Sequence, residues 1–66
     1  MPADAIRTEA EIIAAGFEDR VRELFKTFAE AVYTGEPERD ATARFRRGLV
    51  SAKRVRDAAL EVLKEA

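Results

Sequence analysis

The chain has 66 residues, 12 lysines and arginines against 13 aspartates and glutamates, and neither cysteine nor histidine. That length is near the lower limit for a single hydrophobic core. The missing residue types exclude disulfides, thiolate metal sites, and the commonest metal ligand and neutral-pH general base. With 38% charged and 47% apolar residues the composition is that of a folded, highly charged helical protein, and its balance gives no bulk reason to expect nucleic acid or membrane.

The opening Met1-Pro2-Ala3-Asp4 lacks the basic-then-apolar layout of a secretory signal. No apolar run approaches the ~20 residues needed to span a bilayer, so a cytoplasmic protein without a membrane role is expected. Helix formers fill almost every position and β-branched clusters are scarce, which predicts an all-α fold. In the first segment Ile6, Ala10, Ile13, Phe17, Val21, Leu24, Phe28 and Ala31 recur at steps of three or four, and Phe25 and Val32 widen the same stripe. The spacing predicts a helix over about 3–33. Gly16 interrupts it at a cost of ~1 kcal/mol relative to alanine, but the stripe passes through Gly16 in register. A continuous helix is therefore expected; the alternative is a three-helix monomer broken at Gly16.

Thr34-Gly35-Glu36-Pro37 is the one strong turn signal. Gly35 stands where a helix end wants positive φ. Pro37 suits the first turn of a new helix, with Glu36 and Glu38 placing negative charge at its positive end. A turn over 34–36 and a second helix over about 37–64 follow. Within the second helix Phe45, Ala52, Ala59 and Gly48, Val55, Val62 form two interleaved seven-residue series, alongside Ala41, Leu49 and Leu63. Sustained heptads indicate shallow-angle packing of the bundle kind. The expected fold is one domain over residues 1–66, a long two-helix antiparallel hairpin in which residue 35−k lies roughly beside residue 36+k.

Such a hairpin cannot cover all of its apolar residues. Val50 and Leu60 sit off the second stripe, and Ile12 and Tyr33 off the first. Dimerisation into a four-helix bundle would cover most of them. The residues expected to carry core and association are Ile13, Phe17, Val21, Leu24, Phe28, Phe45, Leu49, Val55 and Val62.

One feature is chemically suggestive. Between residues 39 and 56, Arg39, Arg44, Arg46, Arg47, Lys53, Arg54 and Arg56 stand against the single acid Asp40. Arg47 and Arg54 share a face, and Arg39, Arg46 and Lys53 make a second line. Arg44, Arg46, Arg47, Lys53, Arg54 and Arg56 are thus candidates to bind a phosphate backbone or an acidic protein partner. The structural alternative is pairing with Glu18, Asp19 and Glu23 across the hairpin or across a dimer, which would set register. Asp40–Arg44, Arg7–Glu11 and Glu18–Arg22 are expected as pairs within a helix. Phe45, the only aromatic in the strip, belongs to the packing stripe and is unsuited to base stacking.

Asp57, Glu61 and Glu65 form a like-charged line better read as a solvated face than as a metal site. Glu9 with Glu23 lacks the histidine that carboxylate-bundle sites use. Tyr33 is expected to pack over the turn, and Ser51 and Thr27 have no base to activate them. The sequence therefore leads to a small helical interaction or assembly module acting as a homodimer, with no cofactor, no metal and no catalysis of its own. The alternative is a small nucleic-acid-associated or regulatory protein using the basic strip.

Overall fold

The computed structural model describes residues 7–65, and among them all regular structure is helical. Helix α1 spans Glu9–Tyr33, 25 residues, and α2 spans Glu38–Glu65, 28 residues. At 1.5 Å per residue these are arms of about 38 and 42 Å. They fold back on each other as an antiparallel hairpin. Among the described residues no helix is long and apolar enough to cross a membrane.

Each end of α1 is set by local chemistry. Thr8 is the N-cap: its hydroxyl accepts from the Glu11 N–H at 3.1 Å and donates to the Glu11 carboxylate at 3.2 Å. This satisfies one of the orphan amides of the first turn, while Glu9 and Glu11 complement its dipole. The helix consequently begins at Glu9 instead of near residue 3. Ala3 and Ile6 lie outside the described residues. At the other end Glu36 N–H donates to Ala31 C=O at 3.0 Å and Gly35 N–H to Val32 C=O at 3.2 Å, with Gly35 at φ 86°. These are the two hydrogen bonds of a Schellman cap, and a side chain at Gly35 would be strained. Pro37 opens α2 as its cap: its carbonyl accepts from Asp40 and Ala41, and its missing N–H is no loss there.

Gly16 does not break α1, so the three-helix alternative is not the fold. A Cβ at Gly16 would meet nothing within 4 Å, so the helix passes through on the strength of its stripe, with no close contact requiring glycine there. Gly48 is different. A Cβ there would collide with the Leu24 side chain, whose Cδ1 and Cγ would lie 3.2 and 3.4 Å away. Glycine lets the arms approach closely at this level.

The hairpin interior is thin. Among the described residues the buried ones are Ala31, Ala41 and Ala52, and no large side chain is fully buried. Phe28 stacks on Phe45 with ring centroids 5.2 Å apart and planes inclined by 27°. Phe17 meets the other arm through Arg56, whose guanidinium carbon lies 4.6 Å from the ring centroid. Ile13, Val21, Leu24, Leu49, Leu60 and Leu63 are half-buried.

Two packed helices leave two broad sides, and residues seven apart keep their position relative to the neighbouring helix. On one side, the Phe25 side, the outer edges are Glu11, Glu18, Phe25, Val32 on α1 and Arg39, Arg46, Lys53, Leu60 on α2. On the other, the Val55 side, they are Ile13, Arg20, Thr27 on α1 and Val55, Val62 on α2, a line that turns inward at Gly48 and buried Ala41.

Candidate functional site

The residues with functional promise fall on three surfaces: the two broad sides and the back of α2. On the Phe25 side, Phe25 is 60% exposed and Val32 41%. They flank half-buried Val21 and Phe28 on α1, with Leu49 and Leu60 opposite on α2. Phe25 and Val32 line neither of the two grooves described next.

Both grooves open on the Val55 side. The larger, of about 510 Å³, lies toward the ends of the arms and is lined mainly by small and apolar residues: Ile13, Gly16, Phe17, Gly48, Ala52 and Val55 among them. The smaller, of about 280 Å³, lies toward the turn and is more polar, with Arg20, Thr27, Glu36 and Arg44 in its wall. Val55 and Val62, expected from their spacing to be packing residues, are 70% and 61% exposed on this side. The reason is rotational. The inward line of α2 is Phe45, Ala52 and Ala59 with Leu49 and Leu63, which leaves the Val55 series at its edge.

The basic strip does not pair as its position beside the acids of α1 suggests. Glu18 and Asp19 bind Arg22 of their own helix, at 2.6 and 3.7 Å, and Glu23 binds Arg20 at 3.1 Å. The four-residue reach along a helix is shorter than the reach across it, so local partners win. Arg44 binds Glu36 of the turn at 2.5 Å instead of Asp40. Arg56 binds Asp57 at 3.0 Å while lying over Phe17. Arg7 reaches the Glu11 backbone carbonyl at 3.5 Å. Among the described residues Arg39, Arg46, Arg47, Lys53 and Arg54 have no ion-pair or side-chain hydrogen-bond partner. Four of them, Arg46, Arg47, Lys53 and Arg54, stand three or four residues before and after Val50, which is 57% exposed at their centre.

Compared with known proteins, the chain matches no family model, no curated protein and no solved structure. Functional inference therefore rests on these surfaces alone.

Among the described residues no group of three acids could hold a metal ion, and no buried side-chain oxygen or nitrogen lacks a hydrogen-bond partner. Ser51 lines the larger groove and Thr27 the smaller. Tyr33 is 87% exposed at the end of α1 rather than packed over the turn, because the Schellman cap turns the chain away from it. Spacing alone did not reveal three contacts: Arg56 over Phe17, Glu36 with Arg44, and Gly48 against Leu24. The first two cross between heptad lines, and the third had as its only signal a glycine inside an apolar series.

Proposed function

We propose that this chain is a small, non-catalytic helical interaction or assembly module that acts as a cytoplasmic homodimer, two hairpins forming a four-helix bundle. The observation that carries the reading is that its buried residues are alanines, while Phe25, Val55 and Val62 are more than half exposed. A chain this small needs a second source of burial, and cysteine or histidine chemistry is not available to it. Each broad side is about 40 Å long and about 20 Å wide for two helices of ~10 Å diameter. That is about 800 Å², the area one partner contributes to a standard interface. A second layer on one side would cover Phe25 and Val32 with the half-buried Val21, Leu49 and Leu60, and on the other Val55 and Val62. Light scattering after gel filtration across a thousand-fold dilution series tests the reading. A dimer mass that falls toward the monomer only at the lowest concentrations is expected. A monomer at every concentration overturns it.

The five cations without partners favour a second reading, a nucleic-acid-associated or regulatory protein, or a binder of an acidic protein, that uses the back of α2. Each phosphate neutralised adds about 0.9 to the slope of log K against log salt. Replacing Arg47 and Arg54 with alanine should therefore lower that slope by about 2 in an oligonucleotide titration. An unchanged slope overturns this reading.

A further inference from the structure

We infer that the occupant of the Phe25 side is a second copy of this chain, seated so that α1 of each lies over α2 of the other and both turns meet at the same end of the bundle. The inference rests on the dimer reading above and adds its geometry.

The choice of side follows from what each offers. The Phe25 side presents Val21, Phe25, Val32, Leu49 and Leu60, none of which lines either of the two grooves described above. The Val55 side is grooved, and toward the turn it is walled by Arg20, Glu36 and Arg44. The Phe25 side carries opposite charges on its two edges, Glu11 and Glu18 on α1 and Arg39, Arg46 and Lys53 on α2, so the same side of a second copy can meet it with complementary charge.

The orientation follows from charge. Helix α1 carries six acids and three bases, and α2 five acids and eight bases. Two flat hairpins related by a two-fold axis stack in only two ways. With the axis across the helices, α2 lies antiparallel on α2, the turns point to opposite ends, and the basic line Arg39, Arg46 and Lys53 lies against the same line of the partner subunit. With the axis along the helices, α1 lies on α2, and the two-fold allows no sliding along the bundle. Lys53, at the level of Glu18 within the hairpin, then faces Glu18 of the partner subunit. Arg46 comes over Phe25 of the partner subunit, the arrangement of a cation–π contact. Like charges meet in the first arrangement and opposite charges in the second, so repulsion between the basic lines disfavours the first.

Absence of cysteine makes the test direct. Equimolar E18C and K53C chains are mixed, exchanged and treated with a short bismaleimide, in parallel with R46C mixed with K53C. Efficient covalent heterodimer from E18C with K53C, and little from R46C with K53C, is expected. The reverse result, or a wild-type dimer in which neither mixture cross-links, overturns the orientation while leaving the dimer reading intact. A wild-type monomer at all concentrations overturns the dimer reading itself. As a second readout, E18K should raise the dimer dissociation constant about ten-fold through two lost exposed pairs, and E18K/K53E should restore it. A dissociation constant unmoved by E18K also counts against the orientation.

Discussion

Gly16 and Gly48 are the same residue in two different situations, and the same substitution separates them. At Gly16 a methyl group meets open space within an exposed helix, so Gly16→Ala should stabilise by about 1 kcal/mol through helix propensity alone. At Gly48 that gain is opposed by the clash with Leu24, and overpacking costs about 1–3 kcal/mol. Gly48→Ala should therefore be neutral at best and destabilising by up to ~2 kcal/mol, read from thermal unfolding by circular dichroism. Equal effects at the two positions would contradict the close approach of the arms. Thr8→Ala should cost about 1 kcal/mol by removing the cap, with loss of helix signal confined to the first turn of α1. That cap was legible: Thr8-Glu9-Ala10-Glu11 has the spacing of a capping box. The apolar stripe running back through Ile6 competes with it as a helix signal and draws the predicted start too early. The exposure of Tyr33 was not legible, because it depends on the path of the capped turn.

At the scale of the helices, the hairpin and its level-by-level pairing were readable from heptads and a turn. Phe25 and Phe28 were both expected in the region of Phe45; Phe28 stacks on it, while Phe25 is largely exposed. Ile13 and Phe17 were expected near Ala52 and Ala59, and all four line one groove. Rotation of α2 was less readable. Two adjacent series, one ending in Val62 and one in Leu63, compete for the inward position. The sequence offers no arbiter between them until Arg56 is seen to lie over Phe17. The fate of the acids on α1 also escaped prediction, since Arg20 and Arg22 sit close enough along the helix to claim them first. The stacked pair carries a prediction. Phe45→Ala should cost about 2–3 kcal/mol, below the 3–5 kcal/mol of a fully enclosed phenylalanine because Phe45 is only half-buried. Chemical denaturation measures it, and a loss under ~1 kcal/mol would mean the rings contribute little to holding the arms together.

For the whole molecule, folding and association should be one transition. If each arm depends on a second layer, the midpoint of thermal unfolding depends on concentration, falling by about 5 °C per ten-fold dilution for a dimer of this length. A midpoint independent of concentration would mean that the isolated hairpin is sufficient. The proline that opens α2 has a further bearing on this. Two amphipathic arms joined by so few residues have a competing form in which the bend straightens and each rod exchanges its second half with a neighbour. An uninterrupted rod would place Pro37 in a helix interior, where it costs about 3 kcal/mol or more, and would forfeit the Schellman cap at Gly35. Residue 37 thus guards against domain swapping: it keeps each polypeptide bent upon itself, so that copies meet as finished pieces instead of trading limbs.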